Sequence, residues 1–168
     1  MLPHCGLRAV KPSPEAALAG FIAKYSSEIA ELAHAALAKM RALLPGAVEM
    51  VYDNYGAAVI GFAATERVSE AIFSIALYPR WVTLYFLHGA ELFDPHKLLR
   101  GDGKVVRRIV LEDAQTLDAP PVRALMAEAL ARSAHPFDPA QPNRIIIKSI
   151  SAKQRPRRPT QPSKKGQR

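Results

Sequence analysis

Between Glu15 and Leu44 the apolar residues Leu18, Phe21, Ile22, Tyr25, Ile29, Leu32, Ala36, Met40, Leu43 and Leu44 recur mostly three or four positions apart. That period gathers them into one buried stripe and predicts helix. Ser26 and Ser27 predict a break within the stripe. A serine oxygen accepts from the free amides that begin a helix, and Glu28 and Glu31 would then sit at its positive end. Pro45-Gly46 closes the second helix.

The period then shortens to 2, the signature of strands. AVEMVYD (47–53) sets Val48, Met50 and Tyr52 against Glu49 and Asp53. AAVIGFAA (57–64) puts Ile60 and Phe62 on one side, with Asn54-Tyr55-Gly56 as the turn between them. AIFSIAL (71–77) and WVTLYFL (81–87), joined through Tyr78-Pro79-Arg80, predict a second hairpin whose core side carries Phe73, Ile75, Leu77, Val82, Leu84 and Phe86. KVVRRIVL (104–111) reads as a fifth strand. After Asp118, taken as a helix cap, helical period returns through Val122, Leu125, Met126, Ala129 and Leu130, with Pro120 and Pro121 tolerated in the first turn. IIIKSI (145–150) is strand by its β-branching.

Segregated helices and strands predict an α+β fold, an antiparallel sheet of about five strands with helices packed on one face. The other face is expected to show Glu49, Ser74, Trp81, Thr83 and Tyr85. Residues 1–13 read as a flexible leader, 14–150 as a single domain, and 151–168 as a basic disordered tail too poor in apolar residues to offset the entropy of ordering.

Charge sharpens that division. The net charge is +8, yet nine of the 23 lysines and arginines follow Asp138, the last acid, so residues 1–138 hold 14 bases against 15 acids. The body is nearly neutral and the tail is basic. Long-range attraction for nucleic acid therefore belongs to the tail, through Arg155, Arg157, Arg158, Lys164 and Lys165. No aromatic residue interleaves them, so the sequence alone offers no base stacking. The one cysteine, Cys5, has no partner in the chain for a disulfide, and no apolar run reaches the length of a membrane span. With no secretory pattern at the N-terminus, the expectation is a cytoplasmic protein that does not enter a membrane.

Candidate chemistry is sparse. In LLRGDGKVVRRI (98–109), Gly101 and Gly103 with Lys104 and Arg107 have the elements of an anion grip, since glycines let successive amides converge and the cations neutralise. The spacing, hydroxyl and following helix of a nucleotide-binding phosphate loop are missing. Such a stretch reads equally as a loop entering a strand. His34, His88 and His96 lack metal-ligand spacing, and no nucleophile elbow occurs. Asp53, Tyr55, Arg80 and Trp81 lie in the two hairpin turns; were the turns to converge, they would form a polar pocket or a partner hot spot, with Tyr85 on the uncovered sheet face beside them.

VYDNY (51–55), IFSIALYPRWVTLYFLHG (72–89), LFDPHKLLRGDGKVVRRIVLE (92–112) and IIKSISAKQRPRR (146–158) together resemble the YdhG-like family, a bacterial domain without an assigned activity. The resemblance runs from about Glu15 to Arg158. It implies a compact α+β domain likened to frataxin, and hence partner binding or iron handling rather than catalysis. Frataxin-like iron binding uses an acidic ridge near the first helix, where this chain offers only Glu15, Glu28 and Glu31 among Lys24, Lys39 and Arg41. The leading expectation is thus a non-enzymatic domain that binds a partner protein or small ligand through the open sheet face, with no cofactor of its own unless iron. The alternative is non-specific nucleic-acid binding through the tail. A third reading, an enzyme acting on a small anion at Arg80, Lys104 and Arg107, has the fewest residues behind it.

Overall fold

Ser13 and Ser26 each begin a helix. In the computed structural model, which describes residues 9–160, their hydroxyls accept from the amides of Ala16 (3.2 Å) and Ile29 (3.4 Å) and so start α1 (Pro14–Ala23) and α2 (Ser27–Leu43). The break expected at Ser26 and Ser27 is therefore a serine cap. α2 buries Ile29, Ala33, Ala36, Leu37 and Met40, positions that share one face of a helix.

Strands β1 (Val48–Asp53), β2 (Ala58–Ala63), β3 (Phe73–Leu77), β4 (Val82–Phe86) and β5 (Arg107–Leu111) follow in antiparallel succession, then α3 (Pro120–Arg132) and β6 (Arg144–Ile150). The sheet order is β5-β4-β3-β2-β1-β6, and β6 lies parallel to β1. This corrects the expected antiparallel sheet of about five strands to a six-stranded mixed one. α3 carries the chain back across the sheet, and a strand reached by such a crossover runs parallel to its neighbour. β5 begins three residues later than expected, because 104–106 remain in the loop. Asp118 does not cap α3 either. It ends a 3-10 turn (Ala114–Asp118) and pairs with Lys39 and Arg123, while Ala119 opens α3 with no side-chain bond.

One core holds the fold. Ile60, Ile75, Leu84 and Ile109 face one another across four strands beneath Leu37, Met40 and Leu125 of the helices. Phe73 and Phe86 meet edge to face at 5.5 Å within it. Both faces of β1 are buried, and the register places Glu49 and Asp53, not Val48 and Met50, on the helix side. The expectation that Glu49 shows on the uncovered face is thus inverted; Ser74, Thr83 and Tyr85 do lie on the helix-free face, together with Met50, Gly61 and Ala76. A shift of one residue moves a whole strand's side chains to the other face. The helix-free face is not bare as expected, because Ser74, Ala76 and Thr83 are buried and Val48, Met50 and Ala63 pack there with Ala71, Leu87 and Ile146.

Gly46, where α2 hands over to β1, has φ +84° and sits so close to the Asp138 carbonyl that a Cβ would lie 1.9 Å from its oxygen. Only glycine fits there. Its amide donates to Asn143 Oδ1 at 2.6 Å, which ties the start of β1 to the loop before β6.

Candidate functional site

The two hairpin turns lie at the same end of the sheet, since β1 and β3 run in the same direction. Two strand spacings, about 10 Å, separate them. The Tyr25 hydroxyl bridges the hairpins, donating to Leu77 O (2.9 Å) and accepting from Ala58 N (3.0 Å). Burial pushes its phenol above the ordinary value, so it stays protonated and able to donate. The residues expected to converge nevertheless divide into two neighbourhoods, Asp53 and Tyr55 at one turn and Arg80 and Trp81 at the other.

Asp53 is fully buried and holds the first neighbourhood together. Its carboxylate accepts from Lys24 Nζ at 2.6 Å and from Arg157 Nη2 at 2.8 Å. Burial alone would raise its pKa, but hydrogen bonds led by that from Lys24 outweigh it and hold the group below the usual carboxylate range. Arg157 is only 5% exposed. It also donates to the carbonyls of Asn54 and Tyr55 and lies over the Tyr25 ring at 5.7 Å.

Ser151–Arg158 is therefore laid along the turn rather than free. Ser151 N donates to Asp53 O and Arg155 N to Tyr55 O, each at 2.8 Å, Gln154 Nε2 donates to Asp53 O at 3.2 Å, and Arg158 Nε reaches Lys24 O at 3.3 Å. This revises the expected disordered tail over 151–158, because the segment finds in Asp53 and the turn carbonyls the partners that its composition gave no sign of. It also removes Arg157 from the candidate phosphate contacts. Arg155 stays outside with its guanidinium over the Tyr55 ring at 5.3 Å, and Tyr55 is 47% exposed. Lys164 and Lys165 lie outside the described residues, as does Cys5.

The second neighbourhood is the helix-free face. Trp81 is 46% exposed and its ring lies 5.7 Å from that of Tyr78. The Tyr78 hydroxyl pairs with that of Tyr85 at 3.0 Å. Burial and this pairing push the Tyr78 phenol up to about 12. The strands beside these rings carry Gly61, Ser74, Ala76 and Thr83, small residues that are buried, with the half-buried Tyr85 and Tyr52 at their border. On the helix side of Trp81 an open groove of about 520 Å³ is lined by Arg80, Glu28, Glu31, Leu32 and Val110. Sequence reading had Trp81 and Tyr85, but missed Tyr78, Lys24 and Gln154; Tyr78 shares the strand alternation of Ser74 and Ala76, which is the signal that could have found it.

The glycine loop is not a cradle of amides. Gly101 has φ +119°, but Arg107 Nη1 is held by the carbonyls of Gly103 (2.5 Å) and Val106 (2.8 Å), and Ala90 N donates to Val105 O. Carbonyl oxygens gathered on an arginine leave that group occupied within its own loop, whereas Lys104 is exposed. At the opposite end of the sheet a cavity of about 440 Å³ is lined by Glu70, His88, Glu91, Arg132 and His135, with His135 Nε2 3.6 Å from the Glu70 carboxylate. Among the described residues no group of three or more His, Cys, Asp or Glu side chains is placed to hold a metal ion, and no helix is long and apolar enough to cross a membrane.

Comparison with known proteins adds no identity: no family model, no curated protein and no solved structure matches the chain.

Proposed function

We propose that the chain is a non-enzymatic, cytoplasmic domain of the YdhG-like kind that binds a partner protein through the helix-free face of its sheet. The observation that carries this reading is Trp81 standing half exposed against Tyr78, whose hydroxyl is in turn paired with that of Tyr85. Aromatic rings already packed against each other lose little freedom on docking, and residues of this kind dominate binding energy at protein interfaces. A small ligand would instead use the groove on the other side of Trp81, between it, Arg80 and the α2 acids. Iron handling, which the frataxin likeness adds, has Glu28 and Glu31 beside that groove, two carboxylates one turn apart and a weak hold for a hard cation.

Trp81 is the chain's one tryptophan, so its emission reports on its own surroundings, the Tyr78 side and the groove beside α2. Candidate ligands from a thermal-shift screen, co-purifying proteins and ferrous iron are titrated while emission and quenching by iodide are followed. Docking on this face shifts the emission to the blue and shields it, and Trp81→Ala weakens the complex by about tenfold or more. A complex that forms with emission, quenching and the Trp81→Ala affinity all unchanged overturns the reading. Iron that evokes neither heat nor a change in emission removes metal handling.

A further inference from the structure

The corner built on Asp53 does something its sequence did not advertise: it turns a run of basic residues into a fixed surface. Asp53, among the described residues the acidic contact of the strap formed by 151–158, is enclosed between Lys24 and Arg157, so its charge is more than balanced inside the protein. Outside, Lys148, Lys153, Arg155 and Arg158 are exposed, and none has an acidic partner among the described residues. Backbone bonds from Ser151 and Arg155 and side-chain bonds from Arg157 and Arg158 hold this segment along the β1–β2 turn. Beside Arg155 stands Tyr55, half exposed, with the guanidinium against one side of its ring.

We propose that this corner is a binding site for single-stranded nucleic acid. The exposed cations neutralise successive phosphates, and one unstacked base lies on the Tyr55–Arg155 pair. Each part of that choice follows from the geometry. Cations at fixed positions favour a linear polyanion over a single small anion, for which the amide-lined pocket is lacking. A half-exposed ring with a guanidinium beside it is the surface on which a splayed base stacks, whatever its identity. Bases in a duplex are already stacked, and the corner is a turn and an extended segment, with no helix to lay in a groove. Binding is therefore single-strand selective, weakly dependent on sequence and sensitive to salt.

The test follows the anisotropy of a labelled single-stranded oligonucleotide of about 12 nucleotides against the full chain across a salt series, with the matching duplex and phosphatidylserine vesicles as comparators. Tyr55→Ala is expected to weaken binding about tenfold while Tyr55→Phe binds like the parent. Arg155→Ala also lowers the salt slope by about 0.7, the share of one phosphate on a single strand. Arg157→Ala removes a charge that faces inward; it weakens binding if the fixed surface matters, and circular dichroism shows whether the domain remains folded. Tyr55 lies in an exposed turn, so its variants keep the test decisive should Arg157→Ala unfold. Three results each overturn the proposal: Tyr55→Ala binding as tightly as the parent, the duplex binding as tightly as the single strand, or vesicles binding where the oligonucleotide does not. Binding abolished by Lys164→Ala with Lys165→Ala, and indifferent to Tyr55 and Arg155, places the affinity elsewhere and also overturns it. None of these outcomes bears on Trp81, so this site and the sheet face stand or fall separately.

Discussion

Strand β1 carries two buried acids four residues apart on its helix side, and its two ends neutralise them by different means. Glu49 is met by Arg41, eight residues before it, in a two-pronged pair at 2.8 Å and 2.8 Å. Arg41 remains partly in water and its guanidinium is held protonated still more firmly by the Glu49 hydrogen bonds. Asp53 instead is met by Arg157, from far along the chain, and both members are sealed from solvent, with Lys24 as a third and more exposed partner. A local pair with one wet member can be broken cheaply, whereas a sealed pair leaves an uncompensated charge behind. The two ends thus teach that the same residue class on one strand can be an accessory at one end and a latch at the other.

The largest effect should come from breaking the latch. Asp53→Ala strands Arg157 inside the protein and is expected to cost about 3–5 kcal/mol in urea unfolding, with the strap becoming protease-sensitive. The latch should also be the pH-sensitive end. Because the folded pKa of Asp53 lies below its unfolded value, its stabilisation is complete above the ordinary carboxylate pKa of about 4 and is lost as pH falls through the lower, folded value. Melting curves of the parent and Asp53→Asn, well apart at neutral pH, should therefore draw together under acid conditions. Next in size, Tyr25→Phe leaves Ala58 N and Leu77 O unpaired beneath the latch, for a loss of about 1–3 kcal/mol by the same denaturant assay. The smallest, Glu49→Ala, should cost about 1–2 kcal/mol, since Arg41 can turn to water. A Glu49→Ala loss as large as that of Asp53→Ala would erase the distinction between the two ends.

What could be read beforehand follows the range of the interactions. Period and capping chemistry are local, so the helices, the serine break at Ser26, both hairpins and the core sides of β3 and β4 were legible from their own residues. Alternation in β1 points Val48 and Met50 inward, the wrong side, because apolar residues here are as buried as any in the core and nothing local says that Arg41, Lys24 and Arg157 wait on the other side for Glu49 and Asp53. The place of β6 beside β1 was equally hidden, since a parallel neighbour is chosen by the crossover and not by the strand's composition. Arg155-Pro156-Arg157-Arg158 looks alike whether solvated or clamped. Only a buried carboxylate elsewhere in the chain tells the two apart.

The parallel pairing of β1 with β6 also orders events in time. As a nascent chain emerges, α1 and α2 and the antiparallel meander can assemble from neighbours, but the outer margin of β1, with Asp53 at its end, has no partner until residues 144–157 have left the ribosome. Until then the growing polypeptide exposes an unpaired strand whose acid has Lys24 but not Arg157 beside it, and sealing that edge is a slow, long-range step that completes the domain.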